Sequence, residues 1–219
     1  MSVQHHIIRR LILVSSVMLI IGLFRAQGQS PASRDQLTPQ FGIRGGVNLS
    51  NLYVNEADDE HMKAGLNAGV FLKLPLANGV ALQPELSYSG KGSRIAYNSI
   101  LGSGAFRFNL NYVELPVLFV FNIGKAFNIH AGGYAAYLTG ANIKNVDDDG
   151  SMDEIASFDA DDFNRMDFGV SGGIGLDIDK FSIGARYNYG LKEVGKDLSR
   201  AVLGNAKNNA VNLYIGIGF

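Results

Sequence analysis

The chain has 219 residues, enough for one domain with or without a processed leader. It carries 27 Gly, 13 Phe and 9 Tyr but no Trp and no Cys, which excludes a disulfide framework, a cysteine zinc site and cysteine lipidation. With 19 Lys+Arg against 20 Asp+Glu, the charge of −1 offers no basic surface for nucleic acid.

The chain opens MSVQHHIIRRLILVSSVMLIIGLFRAQGQS. Arg9 and Arg10 precede an apolar run from Leu11 to Phe24, and the small residues Ala26 and Gly28 follow at signal-peptidase spacing. The run is short for a spanning helix, so residues 1–28 are expected to be a cleaved secretory signal. Arg25, between the apolar run and the small residues, is the feature an uncleaved anchor would also show. Removing Arg9, Arg10 and Arg25 from the 19 basic residues leaves 16 against 20 acidic ones, a net charge near −4. Residues 29–40 read as a short disordered lead-in, and 41–219 as the folded domain.

From Phe41 the hydrophobic period is two rather than 3.6. The first predicted strand, FGIRGGVNLS, sets Phe41, Ile43, Val47 and Leu49 against Arg44, Asn48 and Ser50. The second, about Met62 to Pro75, alternates Ala64, Leu66, Ala68, Val70, Leu72 and Leu74 with Lys63, Asn67 and Lys73. The third sets Val80, Leu82, Leu86 and Tyr88 against Gln83, Glu85 and Ser87. The fourth, about Arg107 to Phe121, sets Val113, Leu115, Val117 and Phe119 against Tyr112 and Glu114. The fifth, about Ala126 to Thr139, has no legible facing. In the sixth, Phe168, Val170, Ile174, Leu176 and Ile178 oppose Asp167, Ser171, Gly173 and Asp177. In the seventh, Phe181, Ile183, Ala185, Tyr187 and Tyr189 oppose Ser182, Arg186 and Asn188. The eighth closes the chain as NNAVNLYIGIGF, with Val211, Leu213, Ile215, Ile217 and Phe219 on one face.

The connections alternate. Long ones are expected at Asn51–His61, Lys91–Phe106, Gly140–Arg165 and Lys192–Asn208; short ones at Ala77–Gly79, Asn122–Lys125 and Asp179–Lys180. Together with the leader and the terminal aromatic, this rhythm points to an all-β fold, an eight-stranded antiparallel up-and-down transmembrane barrel of a Gram-negative outer membrane. The apolar face then needs no protein cover, because lipid supplies it and barrel closure pairs every backbone group. Phe41, Tyr88, Phe168, Phe181, Tyr189 and Phe219 would form interfacial girdles. The alternative is a soluble, lipocalin-like barrel with its apolar face inward.

Several strand motifs resemble those of the PorT-like outer-membrane β-barrel proteins: GIRGGVNLSN, LQPELSYSGKG, NYVELPVLFVF, AGGYAAYLTGA, NRMDFGVSGGIGLDI, FSIGARYNYGLKEV and NLYIGIGF, spanning Phe41 to Phe219. Gly133 departs from relatives that place a proline after a glycine. The resemblance implies an outer-membrane barrel, with some family members linked to protein secretion, and neither an enzyme nor a known ligand. It also implies that the terminal Phe219 is read by the outer-membrane assembly machinery. The expected partners are outer-membrane lipid and lipopolysaccharide, that machinery during insertion, and an envelope or secretion protein, with no nucleic acid. No cofactor is expected.

Three sets of residues carry candidate chemistry. Arg44, Lys63, Glu85, Glu114, Asp167 and Arg186 would point into the lumen, where charges must pair. An eight-stranded interior is just wide enough for side chains to fill, so these form a salt-bridge plug sooner than an ion path. Arg186 would pair with Glu114 or Glu85, and Gly69, Gly169, Gly173, Gly184 and Gly216 would make room for long side chains. Between Asp147 and Asp162 lie eight carboxylates and no Lys or Arg. Asn145, Asp147, Asp149 and Asp153 follow part of a calcium-loop pattern, but Ala156 stands where its bidentate Glu belongs. A solvated external loop is the plainer reading. His61 and His130 remain after the leader; neither has a sequence-evident nucleophile and acid partner, so no catalytic residue is assigned. A narrow pore and a lipid-modifying enzyme remain the alternatives to a non-enzymatic interaction barrel.

Overall fold

The strands β1 (Gln40–Tyr53), β3 (Lys63–Ala77), β4 (Val80–Ser99), β5 (Gly102–Ile123), β6 (Phe127–Asp147), β8 (Met166–Ile178), β9 (Phe181–Glu193) and β10 (Lys207–Gly218) are joined edge to edge in an antiparallel sheet. The order β4-β3-β1-β10-β9-β8-β6-β5 is closed by the β4–β5 ladder, giving an eight-stranded barrel. The strands β2 (Glu60–His61) and β7 (Met152–Ala156) add short pairings to β4 and β6. This computed structural model describes residues 38–53, 60–99, 102–147, 152–156, 163–196 and 206–219. The expected leader and lead-in up to residue 37 lie outside them, and all the described residues belong to the unit Leu37–Phe219.

The β1–β10 ladder pairs the first strand of the barrel with the last, with Ile43 opposite Ile217 and Val47 opposite Leu213. All three expected short turns are present, at 78–79, 124–126 and 179–180. Each carries a residue with positive φ: Gly79 at 78°, Gly124 at 71° and Asp179 at 53°. Glycine adopts that region freely, and Asp tolerates it through local hydrogen bonding.

Alternation in the sequence becomes alternation across the wall. Ile43, Leu66, Leu86, Val117, Ile174 and Ile215 are exposed on the outer face, while Arg44, Glu85, Glu114, Asp167, Arg186 and Asn212 are buried inside. β6 proves regular too: Asn128, His130, Tyr134, Ala136 and Leu138 point in, and Ile129 and Tyr137 point out. Phe41, Phe121, Phe181 and Phe219 lie at the turn end of the outer face; Tyr88, Tyr137, Phe168 and Tyr189 lie toward the other. On β5 the outward apolar residues run from Val113 to Ile123. At 3.3–3.4 Å per residue and a 35–45° tilt, that is a belt about 25 Å tall, the height of a barrel's apolar band.

Two expected loops carry strand extensions. The segment Lys91–Phe106 is a hairpin extension, paired from Lys91↔Leu110 to Ser99↔Gly102. Of Gly140–Arg165, β6 takes the part up to Asp147, and β7 folds back to pair Asp153 with Asn145. The sequence hides these extensions for a physical reason. Beyond the lipid belt neither strand face needs to be apolar, so the period-two contrast fades while pairing continues. Elsewhere the ladder breaks where Pro84 and Pro116 sit: pairing jumps from Pro84↔Val117 to Ser87↔Glu114, because proline has no N–H to contribute.

Candidate functional site

The lumen is packed in layers from the turn end outward. Nearest the turns is a cavity of about 390 Å³, lined by polar residues including Gln40, Lys73, Asn122, Asn128 and Asp177. Lys73 Nζ is 2.8 Å from Asp177 Oδ2, which also accepts from Asn128 Nδ2 at 3.0 Å.

Above the cavity sits a buried cluster of ion pairs. Arg186 grips Glu85 with two bonds, Nη1 to Oε2 at 2.8 Å and Nη2 to Oε1 at 2.9 Å. Arg44 Nη1 donates to the same Oε1, as does Gln83 Nε2 at 2.7 Å. Bidentate Arg–carboxylate geometry is among the strong hydrogen-bonding arrangements. The Tyr214 ring stacks beneath both guanidiniums, 3.7 Å from Arg44 Cζ and 5.6 Å from Arg186 Cζ. Three strands distant in sequence (β1, β4 and β9) are thus tied together across the barrel.

The next layer is an amide and hydroxyl network. Asn212 donates to Asn48 at 2.9 Å, Asn48 to Ser89 at 3.0 Å, and Ser171 to Asn188 at 2.7 Å. Asn188 Nδ2 reaches Glu114 Oε1 at 3.4 Å, and Lys91 Nζ lies 2.6 Å from Glu114 Oε2. Lys91 is also 4.5 Å from the Tyr134 ring centroid, a cation–π contact. Asp167 accepts from Asn208 at 3.0 Å and from the Tyr134 hydroxyl at 3.4 Å. Beyond these, Phe108, Leu110, Tyr112, Leu138, Phe163 and Val194 form an apolar cluster. The interior therefore changes from polar cavity to ion pairs to amides to an apolar cap.

Of the six sequence-predicted lumen charges, the structure brings Arg44, Glu85 and Arg186 into one cluster and places Glu114 and Asp167 in the layers above. Lys63 stands apart from them, its Nζ donating to the Lys91 carbonyl at 3.1 Å. Lys91, expected in a loop, is instead the buried partner of Glu114. Nothing in its GKGS context separates an inward strand lysine from a loop lysine. The inward facing of His130 is equally hidden in the sequence, because β6 reads as small and apolar on both faces. Three inward glycines leave room for rings: a Cβ would lie 2.5 Å from Tyr214 Oη at Gly184, 2.6 Å from His130 Nε2 at Gly173, and 2.7 Å from Tyr134 Cε1 at Gly169.

Among the calcium-pattern residues, Asn145 and Asp147 lie on β6 and Asp153 on β7, while Asp149 lies outside the described residues. Among the described residues no group of three or more His, Cys, Asp or Glu side chains is placed to hold a metal ion. His61 pairs on β2 opposite Arg94 of β4, and His130 is inside the barrel, so the two histidines occupy separate parts of the fold.

A family model described as an outer membrane protein beta-barrel domain matches residues 26–194. Solved structures similar to the chain include Ail, the attachment invasion locus protein of Yersinia pestis, in complex with the heparin analogue sucrose octasulfate. It is 15% identical, covers 83% of this chain and 99% of its own, and has a TM-score of 0.47. Neisserial surface protein A is 11% identical over 82% of this chain and 97% of its own, with a TM-score of 0.46. OprG of Pseudomonas aeruginosa is 13% identical over 84% and 97%, with a TM-score of 0.40. No curated protein sequence matches. The match is to an outer membrane β-barrel domain and does not single out the PorT-like group that the strand motifs resemble.

Proposed function

Because the chain belongs to the outer membrane protein β-barrel domain family, we propose that it is a non-enzymatic barrel of the bacterial outer membrane that presents its strand extensions to another component of the envelope. The observation that carries this reading is the extension of β4, β5 and β6 past the apolar belt. From Tyr88 to Ser99, β4 continues for roughly 35 Å of strand, paired throughout its upper part with β5. A barrel needing only to span would end near the girdle. Extended, paired backbone on that side is a rigid platform for recognition.

In this reading residues 1–28 are a cleaved export signal, both termini of the barrel domain and the short turns face the periplasm, and the extensions face outward from a Gram-negative cell. Outer-membrane lipid, lipopolysaccharide and, during insertion, the assembly machinery are its surroundings. The PorT-like motifs favour a secretion-linked envelope protein as the partner. Photo-crosslinking in intact cells tests this, with one probe at Asp153 and another at the Asn78 turn. A discrete protein adduct at Asp153 is expected; adducts to lipid alone, or none, would remove the interaction role.

The second reading is a narrow pore, and the layered interior argues against it. Tyr112, Leu110 and Leu138 are essentially inaccessible, and Glu85 and Glu114 are tied to cations. Purified barrel in planar bilayers is expected to show no steady open-channel current. Sustained conductance at open-channel levels would mean that the plug opens. A lipid-modifying enzyme has less support, because His130 has Asn128 rather than an acid and nucleophile beside it.

A further inference from the structure

We propose that the cavity at the turn end of the barrel is a binding site for a small oxyanion, a solute bearing a carboxylate or phosphate group, with Arg44 and His130 at its floor. The site itself is independent of sidedness; that its ligand comes from the periplasm rests on the topology proposed above.

The charge balance around the cavity favours an anion. In the layer directly above it, two guanidiniums (Arg44 and Arg186) share one carboxylate, Glu85. Tyr214 and Gln83 complete that layer without adding an anion. The next carboxylates lie farther out: Glu114 Oε2 is 2.6 Å from Lys91 Nζ, and Asp167 accepts from Asn208 and from the Tyr134 hydroxyl. At the cavity wall, Lys73 and Asp177 cancel one another. The buried floor thus holds one positive charge in excess. Buried charge is costly unless a counter-charge is at hand, and Arg44 lines the cavity where one could sit. The turn residues Lys125, Asp179 and Lys180 also line the cavity, two cations to one carboxylate, which adds to the positive field.

The floor also holds unused hydrogen-bonding positions. Asn128 Nδ2 donates to the Asp177 carboxylate, which leaves its Oδ1 facing His130 Nδ1 at 3.1 Å. Oδ1 can only accept, so Nδ1 carries the proton, and in neutral imidazole Nε2 then presents its lone pair. That Nε2 is buried, in a residue only 3% exposed, and has no hydrogen-bond partner among the described residues. Arg44 Nε is likewise buried without a hydrogen-bond partner among them. An oxyanion that also carries a hydroxyl, or a protonated acid oxygen, would satisfy both: its charge accepts from Arg44 and its O–H donates to His130. The volume of about 390 Å³ falls at the small end of ligand-sized clefts.

The test uses full-length mature barrel in detergent micelles, where both ends are open to solvent, with nitrogen-15 labelled His and Arg side chains. Citrate and orthophosphate are titrated against chloride at matched ionic strength. Saturable shifts of the His130 ring and Arg44 Nε–H signals are expected with citrate or phosphate, and none with chloride. Ser182→Trp, which fills the cavity and leaves every charge in place, is expected to abolish them. His130→Gln is expected to weaken citrate binding at least tenfold without touching the Arg–Glu cluster. Absence of a saturable shift, or an identical shift in Ser182→Trp, would overturn the site. The topology is read separately, by labelling a cysteine at Asn78 in intact cells with an impermeant reagent. Labelling there would overturn the periplasmic direction while leaving micelle binding as evidence for the site.

Discussion

Glu85→Ala is expected to destabilise the folded barrel by about 3–5 kcal/mol, the cost of breaking a buried ion pair by removing one partner. The carboxylate accepts from Arg44, Arg186 and Gln83, so its removal leaves two guanidiniums facing one another without a counter-charge. The Tyr214 ring offsets only part of that, because a cation–π contact contributes about 0.5–2 kcal/mol. Replacing the whole cluster at once, with Arg44→Met, Glu85→Leu and Arg186→Met, is expected to cost much less than Glu85→Ala alone. Apolar side chains of similar volume leave no uncompensated charge. Denaturant unfolding in lipid vesicles, followed by far-ultraviolet circular dichroism, measures both. If the single and triple variants lose equal stability, the cluster is not an electrostatic unit.

Ile215→Arg is expected to destabilise by about 2–4 kcal/mol in a bilayer, the penalty for a cation at mid-depth on the lipid face. Ile215 is 65% exposed on β10. It lies between the Phe181 and Phe219 end and the Tyr187 and Tyr189 end of the neighbouring strand. Leu191→Arg, beyond the tyrosines on β9, should fall within about 0–1 kcal/mol, because depth rather than hydrophobicity sets the penalty. The same unfolding assay reads the pair. Equal penalties at the two positions would place the apolar belt somewhere other than in lipid.

How much of the fold and of the interior is legible in the sequence depends on where each residue sits relative to that belt. Within it, one face must meet lipid and the other a crowded interior, so strands such as MDFGVSGGIGLDI and FSIGARYNYGLKE state their facing outright. Arg186 can be assigned an acidic partner from the pattern, yet the choice between Glu85 and Glu114 needs the register across the barrel. Outside the belt that constraint lapses. The hairpin around Ser99 and Gly102 mixes glycine and polar residues with scattered apolar ones in its sequence, and reads as a loop although it is paired strand. Inward aromatics are hard to read for a related reason: Phe71, Tyr112, Tyr134 and Tyr214 resemble girdle residues in composition, and only their phase places them inside. His130 and Lys91, each central to the interior, fall in stretches where neither face is marked by bulk.

The measurement that bears most directly on the central claim is lipid access to the outer wall. Spin labels at Leu115, Val117, Ile174 and Ile215, with controls at Asn78 and Asp153, would be compared in bilayers for collisions with oxygen and with a water-soluble nickel chelate. A membrane-spanning barrel predicts oxygen preference at all four wall positions, strongest at Val117 and Ile215, and nickel preference at both controls. Wall labels reached by neither reagent would place the apolar face inside a soluble barrel. Wall labels reached by nickel would place it in water.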